Sequence, residues 1–520
     1  MRGIIALIHS KYVVLNQKKR IVESPILSYL LPNDIIEYDE IEGEIHIRQL
    51  IERKRQFFMA VVTVSVKEIS IFSYGLPKFF RPLLQFEKIS TGDVLIIEAT
   101  IDGMSIYRSY GSIQNRLNDK EVITDLYHLN SMDALNMQYT REGPVYYTQE
   151  YRDLTHLHTF NVDPTHSKDF DDAISVENNK IYVHIVDAHS MIPMHSEIEK
   201  QAFAHSFTLY LPEGNSNILP QELAELELSL VKGERRNVIT IEYDIDETFE
   251  VKSYEIYPSC IIIKERYDYT EFRRRLTEFP FLVQFAEKWK KETLPVPHVA
   301  FDIDENGKIR HHRYETNNDQ AHKIIETLMI LTNMTISQHI PHKIPQRYHT
   351  KIKNLDNPIA PVTDNEMVNA VLTVKKYRNA VYDSHTSGHF GLKLSSYTHF
   401  TSPIRRYFDV ILHRMLAGYH LKNLDDVLEH VNQREHSIDQ LVTIYRTLKI
   451  LDYMDDIKDK KTPIQGYILS ATDKGVVVLL EDFLYEAFVF TPRVFAVGEK
   501  VNVMVTDVSW VTMTMKIKMI

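Results

Sequence analysis

Residues 161–175, NVDPTHSKDFDDAIS, crowd four carboxylates into one short stretch. Asp169, Asp171 and Asp172 follow Asp163 by six, eight and nine residues. Carboxylates this close repel one another and are costly to desolvate, a cost that a divalent cation relieves. An all-oxygen donor set suits Mg²⁺, with Mn²⁺ as an alternative. Pro164 turns the chain after Asp163. In an extended Asp169-Phe170-Asp171 the two carboxylates share a face while Phe170 points to the core. Asp172 then leads into a strand. Such a cluster can hold one or two cations for phosphodiester hydrolysis. From the residues alone, a solvated acidic turn and a structural Ca²⁺ loop remain open.

A second chemical feature is Ser402-Pro403-Ile404-Arg405-Arg406. It reads as a helix start, with Thr401 or Ser402 as cap and Pro403 in the first turn. Ile404, Phe408, Ile411, Leu412 and Met415 form the apolar stripe. A helix start favours anions, and a guanidinium there can grip a phosphate through two hydrogen bonds. The competing reading is an ion pair between Arg405 and Asp409 at i,i+4. Glu326, in KIIETLMIL, lies on a helix that reads as buried, so its carboxylate needs a partner. A ribose hydroxyl and a structural hydrogen bond are equally open partners.

These residues need elements to position them. A chain of 520 residues suggests about three domains. Residues 1–148 read as β-rich, with a hairpin turning at Asp102-Gly103 and a polar, acidic stretch at 117–137. Residues 149–458 begin with strands, including 181–186, and become mainly helical, with helical spacing at 320–338 and 407–419. Residues 452–461, DYMDDIKDKK, read as a charged linker. Residues 459–520 follow with five short strands that fit an OB-type barrel. The expected fold class is α+β multidomain.

Composition bounds the function. Sixteen glycines exclude collagen-like and Gly-rich disordered chains. The single Cys260 excludes a disulfide scaffold and a thiolate zinc site, and suits a reducing, cytoplasmic location. No apolar run is long enough for a membrane helix, so no membrane partner is expected. The net charge of −11 argues against non-specific coating of nucleic acid while leaving room for a local basic channel. Candidate patches are Lys18-Lys19-Arg20, Arg273-Arg274-Arg275 and Lys375-Lys376-Tyr377-Arg378.

The run HTFNVDPTHSKDFDDAIS, followed by YVHIVDAHSMI, FTLYLPEGNSNILPQEL and SLVKGERR, resembles the opening of the ribonuclease II / ribonuclease R catalytic domain. More than two hundred residues later, GHFGLKLSSYTHFTSPIRRYFDVILHRML resembles that family's second signature, in the family's order. The resemblance spans roughly residues 150–450. It implies a cold-shock or OB-like RNA-binding region at 1–148, the RNB catalytic domain at 149–458 and an RNA-binding OB-type barrel at 459–520. The N-terminal part is short for two cold-shock barrels and resembles mainly one.

The resemblance further implies a Mg²⁺-dependent exoribonuclease that degrades single-stranded RNA from its 3′ end to nucleoside 5′-monophosphates. Asp163, Asp169, Asp171 and Asp172 would be the metal-binding and catalytic carboxylates, and Arg405 the contact to the scissile phosphate. Tyr210, in LYLP, matches the family's tyrosine beside the terminal nucleotide. Phe301 aligns with a phenylalanine closing the base stack. Tyr269 resembles a further RNA-contacting tyrosine, with Tyr267 its rival. Glu326 has a counterpart in a similar helix, and Arg406 ranks below Arg405. His399 reads as structural. A monomer is expected, since one RNA path needs one chain. A catalytically silent RNA-binding protein of the same fold is the alternative.

Overall fold

A computed structural model describes residues 1–8, 11–15, 21–22, 25–28, 30–32, 34–64, 69–72, 89–115, 117–131, 137, 139–141, 150–289, 298–315, 319–340, 344–349, 362–377, 379–385 and 388–520. The patch Lys18-Lys19-Arg20 and residue Arg378 lie outside the described residues.

The N-terminal region holds two four-stranded antiparallel sheets, where the sequence pointed mainly to one barrel. Arg2–Ile8, Lys11–Val14, Ile35–Ile41 and Glu44–Glu52 make the first. Gln56–Val64, Ile69–Phe72, Asp93–Thr100 and Gly103–Ser112 make the second. Each has its own apolar cluster, around Ile5, Ile36 and Tyr38 in one and Ala60, Val62 and Leu95 in the other. In the second sheet Thr100 pairs with Gly103, whose φ of +144° closes a two-residue turn. The acidic stretch that follows is not loop: Asn118–Leu129 is a helix. Val122, Ile123, Leu126 and Leu129 repeat at helical spacing and are buried.

The middle region is built on a sheet that closes on itself. Strand order is Arg152–Asp153, Val251–Tyr267, Thr159–Val162, Asp172–Glu177, Lys180–Val186, Arg235–Ile245, and the last also pairs with Val251–Tyr267. The 17-residue strand achieves this by pairing antiparallel with Arg235–Ile245 and, further along, parallel with Thr159–Val162. Closure leaves few ladder edges exposed. Through its buried side runs a chain of hydrogen bonds. It links Thr159 to Ser175 (2.8 Å), Ser175 to His184 (3.0 Å), His184 to Thr240 (2.8 Å) and Thr240 to Ser259. Burial holds the His184 imidazole neutral, pushing its pKa down to about 3. The helices Gln320–His339 and Tyr407–Leu416 share one large apolar core with this sheet.

The helix Leu424–Asp459 runs through the expected linker, whose charges form the helix's last turns. Its fully buried Lys449 lies 3.3 Å from Asp119 and 3.6 Å from Glu213 and donates to Gly307 O (2.6 Å). The cation thus joins three segments that are distant in sequence. Five antiparallel strands end the described chain: Ile464–Thr472, Gly475–Leu480, Tyr485–Phe490, Lys500–Ser509 and Thr514–Met519. Their alternating inward residues (Ile464, Ile468, Val501, Val503 and Ile517 among them) pack with the long helix. No helix among the described residues is long and apolar enough to cross a membrane.

Candidate active site

Asp163 and Asp172 meet because of sheet register. Thr159 pairs with Ser175 and Phe160 with Ile174, so the end of one strand faces the start of its antiparallel neighbour. Asp163 follows the first strand, its N–H bonded to Tyr267 O (3.2 Å), and Asp172 opens the second. The loop between them returns Asp169 and Asp171 to the same end. Phe170 is buried between these two, which are buried themselves.

The segment from Ser402 to Arg406 is not helical. Pro403–Arg405 form a turn, Arg406 is extended (φ −133°, ψ 113°), and the helix begins only at Tyr407. The reason is pairing with a distant segment. Thr208 N–H donates to Arg405 O (3.0 Å), and Tyr407 N–H donates to Ser206 O (2.8 Å). The turn drives into the acid cluster. Ile404 N–H donates to Asp171 Oδ1 (2.7 Å) across 233 residues of sequence. Arg405 Nε lies 3.4 Å from Asp171 Oδ2, and its guanidinium also donates to Ser402 Oγ (2.9 Å). Arg405 therefore pairs with Asp171 and not with Asp409. Arg406 takes Asp409 instead, at 2.7 Å, with the carboxylate fully buried. That ion pair is where the expected RNA contact at Arg406 is spent.

Burial pushes the Asp163, Asp171 and Asp172 carboxyls up, Asp172 to about 6. Neighbouring carboxylates add to this at Asp163 and Asp171, while Arg405 opposes it at all three. Arg405, helped by Arg266 at Asp163, does not balance four acids. A dication fits that deficit, and the donors are all hard oxygens. Each carboxylate offers about four lone-pair sites, so the bonds from Ile404 and Arg405 leave Asp171 able to ligate. Among the described residues, no three His, Cys, Asp or Glu side chains close into a ready-made metal cage.

Tyr210, in Leu209–Leu211, donates its hydroxyl to Asp169 Oδ2 while the residue stays 41% exposed. Tyr269 opens the helix Tyr269–Arg274 and stacks on His322, with centroids 3.8 Å apart and planes 5° off parallel. Burial raises its phenol pKa, and the charges of Asp163 and Asp172 raise it further, so the ring borders the cluster. Tyr267 packs instead against Phe160, Phe272 and Phe279 in the core.

Two residues differ in burial from what the sequence suggested. Phe301 is 7% exposed, on the inner face of the hairpin His298–Ile303/Ile309–Glu315, against Phe483 and beneath Arg446. It offers no face to a base. Glu326 is exposed, because it lies opposite the buried stripe of Ile324, Ile325 and Leu328 on its helix. His399 hydrogen-bonds Tyr382 (2.8 Å), as a structural residue would.

A family model described as RNB domain matches residues 151–422, more than half of the chain. The chain belongs to the RNB domain family. Among curated relatives, Ribonuclease R of Aquifex aeolicus (strain VF5) is 29% identical over 65% of this chain and 57% of the relative. Ribonuclease R of Buchnera aphidicola subsp. Schizaphis graminum is 25% identical over 92% and 75%. The chain thus spans less than two thirds of the length of several of these relatives. Among solved structures, Mycoplasma genitalium RNase R in complex with ribose methylated single-stranded RNA has a TM-score of 0.80, with 19% identity and full coverage of both chains. Yeast Ssd1, a pseudonuclease, has a TM-score of 0.72 with 15% identity, over 98% of this chain and 82% of that one. Identities this low speak for the fold alone. The acid cluster, the turn at 403–405, Tyr210 and Tyr269 all fall inside the RNB match.

Sequence reading missed two partners within the RNB domain. His322 Nδ1 donates to Asp319 Oδ2 (2.8 Å), and Asp319 also caps the helix Gln320–His339. The spacing of three residues at a helix start was the available signal. Ser229, in SLVKGERR, braces the acid loop and carries no local signal.

Proposed function

We propose that this RNB domain chain is a Mg²⁺-dependent 3′→5′ exoribonuclease that hydrolyses single-stranded RNA to nucleoside 5′-monophosphates. The observation that carries the reading is the convergence of four aspartates on one sheet end, with the Arg405 turn inserted against Asp171. Relatives named Ribonuclease R support the same activity.

Asp163, Asp169, Asp171 and Asp172 would hold the cation. What a bound Mg²⁺ supplies is a lowered pKa for water and charge compensation for the five-coordinate phosphate. The half-exposed Arg405 guanidinium is held on one side by Asp171 and Ser402, leaving N–H donors for a non-bridging phosphate oxygen. The exposed Tyr210 ring can stack on the terminal base while its hydroxyl orients Asp169, a contact of about 1–3 kcal/mol per base. The Tyr269–His322 stack walls the side nearest Asp163 and Asp172. One RNA path needs one chain, so the reading keeps a monomer, and the lone buried Cys260 suits the cytoplasm.

A silent RNA-binding protein is the second reading, since Ssd1, a pseudonuclease, shares the fold. The retained acids and Arg405 favour catalysis. A time course with 5′-labelled single-stranded RNA decides. Progressive 3′ shortening with Mg²⁺, absent with EDTA and in Asp172→Asn, is expected. Intact RNA with wild-type protein, or full activity in the variant, would overturn the reading.

A further inference from the structure

The acid loop has little hydrogen bonding of its own. Between Asp163 and Asp172 the only backbone bond internal to it runs from Ser167 N–H to Pro164 O (3.0 Å). Its shape comes from other segments: Arg266 donates to Pro164 O (3.3 Å) and Thr165 O (3.2 Å), Val186 N–H donates to Asp171 O (2.9 Å), and the fully buried Ser229 holds the stretch between them. Ser229 Oγ donates to Lys168 O (2.7 Å) and accepts from Phe170 N–H (3.0 Å), so one hydroxyl spans Asp169. The next residue, Leu230, donates its N–H to Phe170 O (3.0 Å), and its own carbonyl accepts from Asn161 Nδ2 (2.9 Å). Ser229 O is itself fixed by Arg236 Nε (3.0 Å).

We infer that Ser229 is a positioning residue for the cation site: its hydroxyl sets the spacing between Asp169 and Asp171. It touches neither carboxylate and acts through the backbone that carries them. The inference rests on the proposed cation-dependent hydrolysis. Loss of partners that orient ligands costs about 10–100-fold in metal affinity or activity.

The test uses full-length wild type, Ser229→Ala and Ser229→Cys, the last keeping volume while weakening both bonds. Thermal unfolding is followed against Mn²⁺ and Mg²⁺ concentration without RNA, and RNA cleavage is measured separately. In Ser229→Ala the cation concentration giving half the stabilisation rises about 10–100-fold, RNA binding in EDTA stays at the wild-type level, and Ser229→Cys falls between. If the alanine variant does not fold, the cysteine variant carries the comparison. A variant with lower metal-free stability but the wild-type cation response would show a merely structural serine and overturn the inference. So would a wild type with no cation response. A wild type that responds to cations yet leaves RNA intact would sink the hydrolytic reading, and the variants' cation response would still decide the role of Ser229.

Discussion

Asp172 sits where a strand begins beside three other acids, and its proton equilibrium reports on that crowding. Burial lifts its carboxyl to about 6, with Arg405 opposing. A free aspartate titrates near ~3.9, so between these values the folded chain binds more protons than the unfolded one. The contribution of Asp172 to the stability of the metal-free protein therefore rises as pH falls through about 6 and levels off near ~4, against the opposite trend of buried histidines such as His184. Asp172→Asn lacks this increment. Urea midpoints for both proteins across pH 4–8 isolate it, and parallel curves would contradict the assignment. Metal binding reverses the sign, because protons then compete with the cation. Phe301 gives a contrasting outcome. Its ring is core, so Phe301→Ala is expected to cost about 3–5 kcal/mol of stability. RNA affinity, measured well below the unfolding transition, should stay near wild type; a selective loss of affinity would mean that a base does reach the ring.

At the scale of elements, position is decided by pairing between segments far apart in sequence. The turn at 403–405 exists because Thr208 and Ser206 claim the backbone of Arg405 and Tyr407 before a helix can start. Local signals, Ser402 and Pro403 among them, favour a helix there, and tertiary hydrogen bonds override them. The same pairing turns Arg405 toward Asp171 and leaves Arg406 to Asp409. On the helix Gln320–His339, 3.6-residue periodicity was legible, yet its phase put Glu326 outside. The helix contains apolar residues on most faces, so the sequence did not mark which one meets the core. The five C-terminal strands were legible because each alternates cleanly and ends in turn residues.

For the whole molecule, the long helix Leu424–Asp459 is the common support. Lys449 joins it to the N-terminal helix through Asp119 and to the segment carrying Tyr210 through Glu213. Removing a buried cation strands the carboxylates it served, at about 3–5 kcal/mol. Lys449→Met should therefore lower the urea midpoint and speed proteolysis within residues 1–131, ahead of the RNB domain. Unchanged stability and digestion would show that the two acids find other partners.

The sequence by itself determined the chemistry on offer. Carboxylate spacing is a local property, so Asp163, Asp169, Asp171 and Asp172 offered a hard-cation site as one reading beside a solvated acidic turn, and alternation announced the flanking strands. Family membership was legible for the same reason, because both signatures are contiguous runs. Only the tertiary structure decided which groups serve the site. Strand register brought Asp163 to Asp172, and a contact across 233 residues brought Ile404 to Asp171. Burial withdrew Phe301 and Tyr267, and exposed Glu326. Burial and cross-chain hydrogen bonding depend on what packs opposite a residue, and no local pattern carries that information.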